Sequence, residues 1–480
     1  MNRLLILKTL GKLLLVEIGL LAPPLLVALI YGEDSLPFLL PMLALLLTGL
    51  PLSLIRPKVH DLRAIDGFVV VGLSWLALSC FGALPFMLSG VAPWFHDALF
   101  ETVSGFTTTG ASVLPFVEGL PQGILFWRSF THWVGGMGVL VLTLALLPRL
   151  SGRSTVLARA ESPGPSYAKL LPRMRDTSRL LYLIYATLTV LLIVALIASG
   201  MPVFDSLIHA LGTAGTGGFS SRNLSIGAYN NPVAEGLITL FMLLFGANFL
   251  LYYKLLLGQG RKSFHSEELR AYALLALGSM AVLTIVVWPH YQDGLTALRH
   301  ASFQVSSIMS TTGYATDNFD LWPQFGRMLL LMLMLIGASA GSTAGGIKVV
   351  RILLMGKLSL REIRRTLHPR QVKVITLDGK TVAEEHLQQV GIFVFVYGAL
   401  LFAGTLLVSM DGSDFTTSFS AVASSLSNIG PGLSLVGPHG NFGHFSPAVK
   451  YLLSFLMLAG RLEFFPLLAL FQPSLWRRAG

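Results

Sequence analysis

Cysteine is almost absent: Cys80 is the only one in 480 residues, and it lies in an apolar run. That excludes a disulfide framework and a thiolate metal site. Charge is scarce as well, at 12% of the residues. The histidines are scattered without the spacing of a zinc site, and no nucleophile elbow, paired-carboxylate motif or G-x-x-x-x-G-K-[ST] loop occurs. Catalysis therefore has no visible constellation, and the chain is not expected to be an enzyme. No organic cofactor is expected either.

What is present is hydrophobic sequence. Apolar residues make up 53% of the chain, the mean hydropathy is +0.70, and apolar runs of more than ~18 residues recur, the mark of a polytopic membrane protein. The net charge of +10 raises nucleic acid as a partner. The basic residues, however, occupy short segments between apolar runs, where orientation in a bilayer accounts for them; no nucleic-acid partner is expected. The first apolar stretch, Leu13 to Tyr31, is too long for a signal-peptide core and lacks an A-x-A cleavage site, so it reads as a retained span.

Full spans are expected near 5–31, 37–55, 66–90, 123–148, 179–200, 232–257, 268–288, 324–356, 387–409 and 447–472, about ten crossings of the ~20 residues a bilayer needs. The cations cluster between them: Arg56, Lys58 and Arg63; Arg149 to Arg175; Arg261 and Lys262; Lys357 to Arg370; Arg477 and Arg478. All five clusters fall on one face, the cytoplasmic one, and both termini lie there.

Each long outer connection of the chain carries an apolar stretch of ~12 to 20 residues, too short to cross and return, which fits a re-entrant half-helix. Each then enters a glycine turn: Phe106 to Ser112 (FTTTGAS), Ala214 to Ser220 (AGTGGFS), Ser310 to Thr316 (STTGYAT) and Ser427 to Leu433 (SNIGPGL). Aligned on Gly110, Gly218, Gly313 and Gly430, the turns recur every 95 to 117 residues, roughly, as one duplicated unit would. Asp97, Asp205, Asp293 and Asp414 stand at or near the half-helix starts, where a carboxylate can accept from free N–H groups. The negative helix ends then converge on one axis and attract a cation, and the turns offer backbone carbonyls in place of its hydration shell. The candidate ion-binding residues are Thr108, Thr109 and Gly110; Thr216, Gly217 and Gly218; Thr311, Thr312 and Gly313; and Asn428, Ile429 and Gly430. For a single turn the plainer reading is a glycine that ends a helix; four in register favour the pore.

At this point the chain resembles the TrkH/KtrB superfamily of potassium uptake proteins, in its TrkH type. The resemblance spans nearly the whole chain and rests on the four turns, on WVGGMGV (Trp133 to Val139), on GASAGSTAGGIK (Gly337 to Lys348) and on AGRLEFFP (Ala459 to Pro466). It implies an all-α fold of four membrane-pore-membrane repeats around one pore, preceded by two extra transmembrane helices. The divisions would be a helix pair over 1–62 and repeats over 63–150, 151–260, 261–373 and 374–480. It also implies K+ as the transported ion, bound at the filter residues just named. The turns depart from the K+ channel sequence TVGYG by aligning one glycine each, which leaves room for Rb+ or some Na+. The fourth departs most, with Asn428, Ile429 and Pro431.

Gly337, Gly341, Gly345 and Gly346 interrupt a hydrophobic span, and each costs ~1 kcal/mol relative to Ala inside a helix, so a break or loop is expected there. The resemblance makes that loop a gate below the filter; small residues for tight helix packing are the alternative. Arg461 lies within the last span and should face the pore, because an unpaired arginine at that depth costs at least ~2.5 kcal/mol. There it would repel a cation or hold the gate through loop carbonyls; pairing with Glu463 is the structural alternative. Lys348 reads either as a second gate charge or as a side chain reaching the cytoplasmic interface. His132 and Trp133 read as a helix interface.

Two functions remain open. One is a gated, channel-like pore conducting K+; the other is a symporter coupling K+ to H+ or Na+, for which Glu101 and Glu463 are the candidate carboxylates. The resemblance further implies a homodimer in the bacterial inner membrane, docked on cytoplasmic TrkA-like nucleotide-binding subunits. The basic segments 149–178 and 357–373 suit that docking, and anionic membrane lipids would suit them equally.

Overall fold

Long helices that are apolar on every side must be covered by lipid or by one another. In the computed structural model, which describes residues 2–57, 64–138, 174–256, 258, 260, 265–368 and 374–470, six helical stretches meet that description. They are Arg3–Ile30, Leu36–Leu54, Asp66–Leu88, Arg179–Ala198, Glu267–Tyr291 and Glu384–Asp411. Their outer sides carry exposed apolar residues such as Leu47, Leu191, Ile285 and Phe402. Residues 139–148 and 149–173 lie outside the described residues, as do the basic residues Lys58, Arg63, Arg261, Lys262, Arg370, Arg477 and Arg478.

Among the described residues the fold is all-α apart from one two-stranded hairpin, Thr376–Leu377 paired with Lys380–Thr381. After the first two helices the same unit occurs four times. Its outer helices are Ala64–Gly82 (continued by Leu84–Leu88), Met174–Ala198, Glu267–Tyr291 and Glu384–Val408. Its half-helices are Phe95–Phe106, Val203–Gly215, Gly294–Met309 and Phe415–Ser427. Its inner helices begin at Gln122, Pro232, Gln324 and Pro447. Proline starts all four inner helices, as Pro121 and Pro323 at the cap or Pro232 and Pro447 in the first turn, where a missing N–H is harmless.

The units close into a ring. Each inner helix packs on the half-helix of the next unit, and the inner helix of unit 4 packs on the half-helix of unit 1. Lys450 of inner helix 4 seals that last junction by donating to Asp97 of half-helix 1 at 2.7 Å. The first two helices form a hairpin that packs on inner helix 1, and Glu33 in their connection accepts from the first free N–H groups of that helix, at 2.9 Å from Gly123.

The inner helices differ from the expected spans. Uninterrupted helices were expected over 123–148, 232–257 and 447–472. Instead inner helix 1 stops at Gly136, inner helix 2 ends at Phe245 and restarts at Phe249 bent by 88°, and inner helix 4 ends at Arg461 before a short helix, Phe465–Leu470. Inner helix 3 stops at Ile336 and resumes only at Val349. Hydropathy reports an apolar run but not its direction, so the bends escaped the sequence.

Two of the four aspartates also serve differently from the expectation. Asp293 and Asp414 cap their half-helices, accepting from the N–H groups of Thr296 at 2.9 Å and Thr416 at 3.1 Å. Hydrogen bonds from the Thr296 and Thr417 hydroxyls, with those N–H groups, hold both carboxyls below the usual range. Asp97 and Asp205 instead lie inside the first turn; Asp97 takes Lys450, and Asp205 accepts from the Ser221 hydroxyl at 2.7 Å.

Candidate functional site

The four half-helices end in the same way. Thr108, Thr216, Thr311 and Asn428 sit in the left-handed region, with φ of 57°, 56°, 57° and 56°. For a β-branched residue this conformation is rare and costs about 1–2 kcal/mol. The next residue's N–H then reaches back five positions: Thr109 to Ser104 O at 2.8 Å, Gly217 to Gly212 O at 2.9 Å, Thr312 to Ser307 O at 2.8 Å and Ile429 to Ser424 O at 3.0 Å. This is the Schellman closure of a helix end. The following glycines Gly110, Gly218, Gly313 and Gly430 again take positive φ, 78°, 79°, 84° and 109°.

These turns meet one another at the centre of the ring. A Cβ on Gly110 would overlap the Gly217 carbonyl oxygen, one on Gly218 the Thr312 oxygen, and one on Gly313 the Ile429 oxygen; one on Gly430 would stop 2.8 Å from the Thr109 oxygen. Each glycine thus lies beside the carbonyl that precedes the glycine of the next unit, and the fourth returns to the first. Among the described residues, no hydrogen-bond donor reaches those four carbonyls. All four glycines also line one outer cavity of about 120 Å³, roofed by the segment 436–442. Of the twelve residues expected at an ion site, the four glycines and the carbonyls of Thr109, Gly217, Thr312 and Ile429 are brought together, while Thr108, Thr216, Thr311 and Asn428 close the helix ends.

Behind the turns lies a brace that sequence reasoning missed. Glu101, fully buried in half-helix 1, accepts from the Ser112 hydroxyl at 2.6 Å, from Val113 N–H at 2.7 Å and from Arg128 Nε at 3.2 Å. Arg128 also donates to Ser112 Oγ at 3.1 Å and to the Ser220 carbonyl at 3.4 Å, and lies 4.1 Å above the Phe219 ring. On the other side of the units, His209 hydrogen-bonds the Ser220 hydroxyl at 2.9 Å, and the Tyr314 hydroxyl donates to the Phe219 carbonyl at 3.3 Å. Glu101 and His209 each lie nine residues before the glycine of their turn and brace the serine two residues after it. Repeat alignment contained that signal. In unit 4 the brace is smaller: Ser424 Oγ donates to Gly430 O at 2.6 Å and accepts from Gly430 N–H at 3.0 Å.

His132 and Trp133 do form an interface. Trp133 stacks on Tyr185 and donates to Thr189 Oγ1 at 3.2 Å, while His132 stacks on Phe219, its ring centroid 4.3 Å away, directly against Gly217.

Beneath the turns runs the irregular segment between Ile336 and Val349. Its base is closed by Ile347 N–H on Leu335 O at 3.1 Å and Lys348 N–H on Ile336 O at 2.8 Å. Gly337, Gly341 and Gly346 have positive φ, and Gly345 lies so close to the Ser427 carbonyl that a side chain would overlap it. Gly345 N–H donates to Thr311 Oγ1 at 2.8 Å, so the loop touches the turn of unit 3. Arg461 donates to Thr343 O at 2.7 Å and to Gly135 O and Gly136 O at 2.6 and 2.7 Å, joining the breaks of units 1, 3 and 4. Glu463 is bonded to Arg351, which stacks 4.0 Å above Phe393. Lys348 curls back to the Ala344 carbonyl instead of extending to the interface.

Comparison with known proteins agrees with this geometry. Residues 38–478 match the TrkH family, described as a cation transport protein. The Trk system potassium uptake protein TrkH of Salmonella typhimurium is 40% identical over 427 residues, 88% of each chain. That of Halomonas elongata is 36% identical over 487 residues and 100% of both chains. The crystal structure of the potassium transporter TrkH from Vibrio parahaemolyticus superposes with a TM-score of 0.89 at 34% identity, covering 99% of this chain and 100% of its own. The chain belongs to the TrkH family of cation transport proteins.

Proposed function

We propose that this protein takes up K+ through a gated, channel-like pore in the bacterial inner membrane, with both termini cytoplasmic. The observation that carries the reading is the cyclic contact of the four glycines with four carbonyls that no hydrogen-bond donor reaches among the described residues. Carbonyls fixed at a helix end, at the negative pole of its dipole, replace the hydration shell of a monovalent cation without a formal charge that would hold it too long. The ion-binding residues are the four triplets Thr108 to Gly110, Thr216 to Gly218, Thr311 to Gly313 and Asn428 to Gly430. The gate is the loop carrying Gly337, Gly341, Gly345 and Gly346, held closed by Arg461. The names of the relatives, potassium uptake proteins and a potassium transporter, support K+ as the cargo.

A symporter coupled to H+ or Na+ needs a carboxylate free to change its charge. Glu101 and Glu463 are both bonded to arginines, which supports the pore. The relatives' "Trk system" name fits regulation by separate cytoplasmic subunits, and we assign that role to TrkA-like nucleotide-binding partners of a homodimer. The test is the reversal potential of the purified chain in liposomes under independently varied K+, Na+ and H+ gradients. A potential that follows the K+ gradient alone is expected. One displaced in a fixed ratio by H+ or Na+ makes the protein a symporter.

A further inference from the structure

The loop below the filter is attached along both of its limbs. The second limb is held by Thr311 and Arg461. The first is held by the break of inner helix 2, with Ser339 N–H on Gly246 O at 3.1 Å and Phe249 N–H on Gly341 O at 3.0 Å, and by a carboxylate. That carboxylate is Glu268, 7% exposed in the first turn of outer helix 3, which accepts from Ala340 N–H at 2.6 Å. Its neighbour Glu267 faces the other way. Glu267 binds the Lys357 ammonium and accepts from Asp378 N–H at 3.0 Å, while its own N–H donates to Asp378 Oδ1 at 2.6 Å. Lys357 also donates to Thr376 O at 2.7 Å. Asp378 and Thr376 belong to the small hairpin after the helix Val349–Leu367.

We propose that the Glu267–Glu268 turn is a lever that couples the cytoplasmic hairpin to the gate, with Glu268 as the positioning residue for the loop. Two adjacent residues of one rigid helical turn hold the hairpin on one side and the loop on the other. A displacement of the hairpin, as a docked subunit would produce, is therefore delivered to Ala340 over a single turn of helix. Glu268 Oε1 is the acceptor for Ala340 N–H, and losing it leaves a buried N–H without a partner. The inference rests on the reading of the loop as a gate.

The test measures basal open probability and unit conductance of the chain in planar bilayers. E268A is expected to raise open probability about tenfold, the factor that ~1.4 kcal/mol of lost bonding gives, with unit conductance and K+/Na+ discrimination unchanged. E268Q keeps an acceptor and should restore low basal opening. K357M, on the accessible surface, should raise opening in the same direction and remains readable if E268A does not fold. The double variant K357M/E268A should match E268A alone, since both cut one path. R461A is recorded alongside. If R461A opens the pore while E268A and K357M leave it closed, or if the two variants simply add, the lever is wrong and the gate stands. If R461A does not open it, the gate reading falls first.

Discussion

The glycine turns and the inner-helix breaks are both irregular backbone within a membrane protein, four of each among the described residues, and they follow opposite rules. The turns agree to within one degree of φ at their left-handed residue, despite carrying Thr three times and Asn once. The breaks share only their place at the end of an inner helix. One ends at a glycine pair, one bends by 88° between Phe245 and Phe249, one opens into a loop from Gly337 to Lys348, and one places Glu463 and Phe464 at positive φ beside Arg461. On the proposed reading ion selection needs near-equal distances from four sides, which closely matched backbones supply, the glycine of the fourth turn departing furthest at φ 109°. Control needs an element that can move alone, which four equal breaks would not provide.

This division predicts that damage to the turns costs stability or selectivity, while damage to the breaks costs regulation. The largest stability effect is expected for E101Q. It strands the Arg128 charge in the interior, and losing one partner of a buried pair costs about 3–5 kcal/mol. Thermal unfolding in detergent should show that loss, with E101Q/R128M recovering most of it and surviving channels keeping their normal basal opening. A smaller effect is expected for S424A, whose hydroxyl makes two neutral hydrogen bonds to Gly430, worth about 1 kcal/mol each. It should lower K+/Na+ discrimination slightly without opening the gate. A rise in basal opening from either variant would break the separation between the two regions.

Much of this was legible in the sequence. The apolar runs, the four glycine turns and their spacing lead to the repeats. Of the brace, repeat alignment carries Glu101 and His209 but not Arg128, which lies on another helix and meets Glu101 only when half-helix 1 folds back. The 88° bend leaves only a faint trace, Gly246 and Asn248 within an apolar run. The strained Glu463 and Phe464 leave none, since neither residue type favours positive φ. Of the two readings open for Lys348, the structure does not bear out an extended side chain reaching the interface, since the loop carbonyl of Ala344 lies within its reach.

The central claim is that four matched backbones, not four particular side chains, select the ion. The most direct test is the K+/Na+ permeability ratio, from bi-ionic reversal potentials, of G110A, G218A, G313A and G430A taken singly. Each is expected to lower the ratio by about tenfold, ~1.4 kcal/mol, with G430A the mildest because its Cβ meets the Thr109 oxygen at 2.8 Å while the other three overlap theirs. A ratio that collapses in one variant and holds in the other three would contradict the account.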